Sequence, residues 1–236
     1  MHNQPFFSFF GLSKIQTATF IALLFHIIGF VGIMFFNNPF FVKTTSINLL
    51  LMFILLLYTQ TDKNKSFYIL IAICFIVGIV VELIGTKTGL LFGNYSYGNV
   101  LGPSVSGVPL IIGVNWFIVI FCCGITMTTL LNKLSSRLIS AELSDSPKIK
   151  VASLVFDGAS LAVFFDWLME PVAVKLGYWK WAGNGEIPLY NYVCWFAVSI
   201  GLLFLFNRLR FDKRNKFAVH LLLIQVMFFL LLRTFL

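Results

Sequence analysis

Charged side chains are scarce in this chain. Only 11% of its 236 residues are Asp, Glu, Lys or Arg, and just 9 are acidic. Soluble domains carry about 25% charged residues, so a soluble globular domain is excluded. Histidine is rarer still, with 3 copies. His26 and His220 each stand alone in an apolar run, without the HxxxH or HxE spacing a metal site needs, and read as histidines hydrogen-bonded inside a bundle. The 4 cysteines, Cys74, Cys122, Cys123 and Cys194, lie in apolar runs with no CxxC spacing. They read as small core residues rather than ligands or disulfide partners. No GxGxxG, P-loop or GxSxG motif occurs. There is no Asp-rich DDxxD or NDxxD motif for a magnesium-dependent prenyl transferase, and no lysine in the last apolar run for a retinal Schiff base. The expectation is no metal, no nucleotide and no redox cofactor.

What the chain has in quantity is apolar sequence, at 59% of residues. Seven apolar segments run near 17–36, 42–58, 66–85, 107–131, 149–169, 190–207 and 217–236, most of them reaching the roughly 20 residues that a helical span needs. The second is short, and Lys43 at its edge can snorkel to the surface. The expected fold is an all-α polytopic membrane bundle of about seven transmembrane helices, forming one transmembrane domain over 1–236. The first apolar run has no small-residue cleavage site after it and reads as a retained helix rather than a signal peptide.

The formal charge of +8 does not point to nucleic acid, because the basic residues fall between the apolar runs and form no groove-sized face. They sort by side instead. Lys14, Lys63, Lys65, Lys133, Arg137, Lys148, Lys150, Arg208, Arg210, Lys213, Arg214 and Lys216 make twelve of the 17 basic residues, and all lie on the side of the N-terminus. The positive-inside rule then places the N-terminus in the cytoplasm of an inner-membrane protein, with the basic clusters against anionic headgroups.

Against this background three acids stand out. Glu82 lies at the end of the third span, and Asp166 and Glu170 lie at the end of the fifth; both spans run outward, so all three sit near one face. A carboxylate in hydrocarbon costs about 2.5–3.5 kcal/mol on insertion scales. Asp166 and Glu170 are one helical turn apart on one face, and two carboxylates close together in low dielectric cannot both ionise easily. A carboxyl group that keeps its proton can act as a general acid. The plainer alternative is neutralisation by Lys87, Lys175 or Lys180 at the interface. Asp157, nine residues before Asp166, falls on the opposite side of the helix and deeper. Asn115 and Trp116 are placed to reach the same pocket from the fourth span.

The loops after these acids resemble each other. Glu82 is followed by Phe92-Gly93-Asn94-Tyr95-Ser96-Tyr97, then Gly107-Val108-Pro109-Leu110, then Trp116-Phe117. Glu170 is followed by Leu176-Gly177-Tyr178-Trp179-Lys180-Trp181, then Glu186-Ile187-Pro188-Leu189, then Trp195-Phe196. Pro and Trp are seven residues apart in both copies, and each Pro-Leu pair is expected to open a helix, where proline fits the first turn. The reading is a parallel internal repeat, 66–131 and 149–207, with Glu82 and Glu170 equivalent and a catalytic region over about 66–207. Such repeats place sites at their interface. Most of the 28 Phe, 7 Tyr and 5 Trp read as lipid-facing filler and interfacial belts. Those beside the acids can stabilise a carbocation through their faces.

These residues resemble the membrane carotenoid-biosynthesis family that includes carotenoid 1′,2′-hydratase and archaeal bisanhydrobacterioruberin hydratase. The matching elements are Glu82 with Gly85, the Phe92–Tyr97 and Gly107–Leu110 stretches, and Trp116. In the second half they are Asp157, Asp166-Trp167, Glu170-Pro171, Gly177–Trp181, Ile187-Pro188-Leu189-Tyr190-Asn191 and Trp195. The resemblance implies a cofactor-independent hydro-lyase that adds water to the terminal double bond of an acyclic carotenoid such as lycopene or γ-carotene. Asp166 or Glu170 would give the proton, Tyr95, Tyr97, Trp179 and Trp181 would shield the tertiary cation, and Glu82 would steer water. Asp157 joins the candidate catalytic set, and Asn115, Trp116, Trp167, Asn191 and Trp195 the substrate-binding set. The partners expected are the carotenoid and membrane lipid, with a homo-oligomer possible. Two other classes are open: a carotenoid cyclase or isomerase sharing the protonation step, and a non-catalytic carotenoid or lipid carrier or small transporter.

Overall fold

The computed structural model describes residues 11–36, 39–137 and 146–236. In chain order the helices are α1 (Lys14–Phe35), α2 (Pro39–Lys43), α3 (Thr45–Thr59), α4 (Lys65–Thr88), α5 (Ile111–Arg137), α6 (Pro147–Lys175), α7 (Leu189–Arg208) and α8 (Lys216–Phe235). The loops add four short strands, β1 (Tyr95–Tyr97), β2 (Ser104–Val105), β3 (Val108–Pro109) and β4 (Trp179–Trp181). Among the described residues six helices, α1 and α4 to α8, are long and apolar enough to cross a bilayer. The protein is an all-α polytopic bundle and an integral membrane protein.

Helix starts follow from side chains that satisfy free backbone N–H groups. Ser13 and Gln16 form a reciprocal capping box at α1. Asn64 accepts from Phe67 N at 3.1 Å to open α4, and Asn215 accepts from Ala218 N at 3.2 Å to open α8. Pro147 sits in the first turn of α6, where a missing N–H costs no helical bond.

The short second span resolves into α2 and α3. With 15 residues, α3 covers roughly 22 Å, less than the hydrocarbon thickness of about 30 Å. It nevertheless runs from one end of the bundle to the other. Thr45 at its start meets the Tyr178 hydroxyl at 2.6 Å, beside β4. At its far end Asn215 Nδ2 donates to Thr59 Oγ1 at 3.3 Å, and Gln60 Nε2 donates to Asp212 O at 2.7 Å, in the α7–α8 connection. Among the described residues the chain therefore passes between the two ends seven times, as α1 and α3 to α8. The connections after α3 and α7, with the start of α1, lie at a basic end. The strands β1 and β4 lie at the other, aromatic end.

Two boundaries differ from the sequence reading. Ser104–Val105 pairs with Val108–Pro109 as a tight hairpin. Both central residues have left-handed backbone, Ser106 at φ 52° and Gly107 at φ 90°, the geometry that suits two-residue hairpins. Pro109 therefore lies in a strand rather than opening the helix, and α5 starts at Ile111. Pro188 is the residue just before α7. At the other boundary, α6 does not end at the acids but runs through Pro171 to Lys175. Proline cannot donate to the carbonyl four residues back. Arg233 of α8 fills that gap, donating Nη1 to Trp167 O at 2.6 Å, with its guanidinium 3.7 Å from the Trp167 ring centroid.

Helix α5 is the axis of the bundle, with every residue from Trp116 to Cys123 buried. It packs against α3, α4, α6, α7 and α8. The peripheral α1 instead exposes Phe20, Ile27 and Phe35, as a lipid-facing surface requires. Helices α4 and α6 both arrive at the aromatic end, where β1 and β4 join them.

Candidate active site

The two aromatic loops pair with each other. Strands β1 and β4 are antiparallel, with Tyr95 opposite Trp181, Ser96 opposite Lys180 and Tyr97 opposite Trp179. Side chains alternate along a strand, so the four rings share one face and Ser96 and Lys180 point away. Ring centroids are 5.1 Å apart for Tyr95 and Trp181 and 5.8 Å for Tyr97 and Trp179. This four-ring roof sits over carboxylates carried by α4 and α6.

Each glutamate is held by its own loop. Tyr95 and Tyr97 both donate their hydroxyls to Glu82 Oε2, the latter at 2.7 Å, and Trp116 Nε1 donates to Oε1 at 3.1 Å. Trp179 Nε1 donates to Glu170 Oε2 at 2.8 Å, and Trp181 Nε1 to the same oxygen at 3.4 Å. Asn191 on α7 bridges the two acids of α6, with Nδ2 at 2.8 Å from Asp166 Oδ2 and 3.4 Å from Glu170 Oε1. Asp166 Oδ1 is buried without a partner. Burial first, and then the charge of Glu82, pushes the Tyr95 and Tyr97 hydroxyls above the ordinary phenol range, which keeps both as donors.

Close approach of backbone to ring makes this arrangement possible. A Cβ on Gly85 would lie 2.8 Å from the Tyr95 hydroxyl, and one on Gly78 would lie 2.6 Å from the Trp116 ring. On the opposite wall Trp116 and Trp195 stack at 4.1 Å, 14° from parallel.

All three carboxylates are buried, with Asp166 at 0% exposure. They line one cavity of about 30 Å³ together with Asn115 and the aromatic rings. That volume exceeds the roughly 10–15 Å³ a water needs, so the polar pocket has room for a water molecule. A second, larger cavity of about 270 Å³ adjoins it through Ile112, Asn115, Met169 and Trp179. Lys87, Lys175 and Lys180 are exposed, and among the described residues none of the three carboxylates is ion-paired with Lys or Arg. Nor are three His, Cys, Asp or Glu side chains grouped to hold a metal ion among the described residues.

Of the residues singled out from sequence, Glu82, Asp166, Glu170, Tyr95, Tyr97, Asn115, Trp116, Trp179, Trp181, Asn191 and Trp195 all line this cavity. Two do not. Asp157 is exposed one turn from Ser153, whose hydroxyl donates to it. Trp167 is 44% exposed and holds Arg233. Sequence reasoning missed Ile112 and Met169 in the lining, because apolar residues in apolar spans carry no local signal, and it quoted Phe92 in the loop motif without giving it a place in the site. It also missed Arg233, although an interior proline and a lone arginine near the end of an apolar span are both visible in the sequence.

The fold and the site together define an integral membrane protein that gathers three carboxyl groups under aromatic rings beside an apolar cavity. The carotenoid biosynthesis protein family matches residues 41–236, and the chain belongs to that family. A curated relative, bisanhydrobacterioruberin hydratase of Haloarcula japonica, is 25% identical over 171 residues, covering 72% of this chain and 54% of the relative. The chain thus spans about half the length of the curated relative it matches. No solved structure matches it.

Proposed function

We propose that this protein is a carotenoid hydratase, adding water across the terminal C1=C2 bond of an acyclic carotenoid end. The observation that carries the reading is the inequality of the three acids. Glu82 accepts three hydrogen bonds and Glu170 three, whereas Asp166 accepts one and has an oxygen with no partner. Hydrogen bonds donated to a carboxylate favour its charged form. By that count Glu82 and Glu170 are read as the anions, and Asp166 as the acid that carries the proton.

In the proposed reaction Asp166 gives that proton to C2, and the π electrons of C1=C2 form the new C–H bond. The positive charge left on tertiary C1 lies among the faces of Tyr95, Trp181, Trp116 and Trp195, which attract a cation without attacking it. The fixed charge of Glu82 adds electrostatic stabilisation where charge develops. A water in the small cavity bonds to C1 through oxygen and gives up a proton to the Asp166 carboxylate, which returns to its starting form. The sum is alkene plus water to tertiary alcohol. Lycopene and γ-carotene are the substrates to try first, since both have an acyclic end. The relative's name, a hydratase, supports this class of reaction. The water-sized space beside the acids favours it over ring closure, which needs no water.

Two structural proposals accompany this one. The basic residues gather at the end away from the acids, which supports a cytoplasmic N-terminus and a site near the outer leaflet of the inner membrane. The two hairpins, α4–α5 and α6–α7, are proposed to be a duplicated unit. Support comes from the mutual pairing of β1 with β4 and from the stacking of Trp116 on Trp195, the matched tryptophans of the two halves.

The test is expression in cells that accumulate lycopene or γ-carotene, with pigments analysed by mass. The expected product is heavier by one water per reacted end. A product of unchanged mass identifies a cyclase or isomerase. Pigment that is bound but unaltered, with Asp166→Asn binding equally well, identifies a carrier.

A further inference from the structure

Polar side chains that the reaction above does not use line the larger cavity, and three of them come from separate helices. They are His26 of α1, Asn48 of α3 and Gln225 of α8. Gln225 is only 4% exposed and His26 only 6%. Gln225 Oε1 and Asn48 Oδ1 are buried without a hydrogen-bond partner. His26 Nδ1 donates to Ala22 O at 2.7 Å, which leaves the lone pair of Nε2 to face another donor. A buried polar group without a partner costs about 1–3 kcal/mol. Polar residues that merely join membrane helices satisfy one another across the interface, and Asn48 and Gln225 do not.

We propose that Gln225, Asn48 and His26 form a hydroxyl-binding subsite for an isoprenoid alcohol. The inference rests on the isoprenoid reading of the acid site and widens its substrate class to isoprenoids that carry a hydroxyl, which lycopene and γ-carotene lack. The unpartnered amide oxygens and the imidazole Nε2 offer acceptors to an O–H donor. A hydroxyl group, which donates, matches that set. The subsite lies at a definite depth. Gln225 is eight residues before Arg233 on α8, roughly 12 Å along the helix, and Arg233 reaches the carbonyl of Trp167 beside Asp166. Trp179, Asn115, Met169 and Ile112 line both cavities and connect the two. An isoprenoid whose terminal double bond rests at Asp166 therefore places a hydroxyl about two to three isoprene units along its chain at Gln225.

Farnesol tests this, because its hydroxyl and terminal double bond are separated by about that length; its methyl ether keeps the shape but cannot donate. Binding of each is measured by quenching of tryptophan fluorescence on the full chain in nanodiscs, for the wild type and for Gln225→Leu and Asn48→Leu. One hydrogen bond of ordinary strength corresponds to about a tenfold preference. The expected result is farnesol binding about tenfold tighter than its ether to the wild type, with the ratio near one in Gln225→Leu and the ether's own affinity retained. Asn48→Leu, at a second position, is expected to lower the ratio as well. Equal affinities in the wild type, or a preference that survives both substitutions, would overturn the proposal. The readout is binding, so it is independent of whether any carotenoid is hydrated. A chain that fails to hydrate yet prefers farnesol loses the hydratase reading and keeps the subsite.

Discussion

Arg233→Met should destabilise the bundle chiefly because of a proline on another helix. Pro171 has no N–H, so the carbonyl of Trp167 has no donor within α6. Inside a membrane such a carbonyl must find another donor, and Arg233 Nη1 supplies it at 2.6 Å. A hydrogen bond from a charged donor contributes about 1.5–3 kcal/mol. The stacking on Trp167, at 3.7 Å from the ring centroid, adds about 0.5–1 kcal/mol at a partly exposed position. Arg233→Met is therefore expected to cost about 2–4 kcal/mol. In a Pro171→Ala background the new N–H can reach Trp167 O, so the same substitution should cost only the stacking portion. A double-mutant cycle then gives a coupling of about 1.5–3 kcal/mol between residues 171 and 233, measured by reversible unfolding in mixed micelles. Additive costs, with no coupling, would refute the reasoning.

Other outcomes follow from the same geometry. Gly85→Ala puts a methyl group 2.8 Å from the Tyr95 hydroxyl and 3.0 Å from Leu91 O. It should displace Tyr95 from Glu82 and lower turnover about tenfold or more, measured by product formation in membranes. Tyr97→Phe removes one of three donors to Glu82. It is expected to lower activity about tenfold while leaving the protein monodisperse on gel filtration, and unchanged turnover would show that Glu82 does not act as an anion.

The fold was readable where its causes are local. Runs of apolar residues set the long helices, while the caps Ser13, Asn64 and Asn215 that fix three of their starts emerge from the hydrogen bonds they make. The boundaries that moved depended on contacts across the chain. Pro171 reads as a helix stop until Arg233 is seen to replace the missing donor. Pro109 reads as a helix start until the Ser106–Gly107 turn pairs two strands before it.

The site was legible for a different reason. Carboxylates and amides are costly in hydrocarbon, so Glu82, Asp166, Glu170, Asn115 and Asn191 stand out individually, and the cavity gathers them. Their pairing was not legible. No local pattern tells that Tyr95 faces Trp181, or that Asn191 bridges Asp166 and Glu170. Trp167 shows the converse, since beside Asp166 in sequence it lies about 100° further round the helix and points outward.

The central claim is that Asp166 delivers a proton to carbon. It is tested most directly by turnover in D₂O, with wild type and Asp166→Asn compared by mass spectrometry and NMR of the pigment. The wild type is predicted to yield a tertiary alcohol with one non-exchangeable deuterium on the adjacent carbon. Asp166→Asn should lose activity by a factor of about 10²–10⁴, the usual contribution of a general acid. Hydration by Asp166→Asn at a rate within a few-fold of wild type, or a wild-type product without that deuterium, would contradict the account.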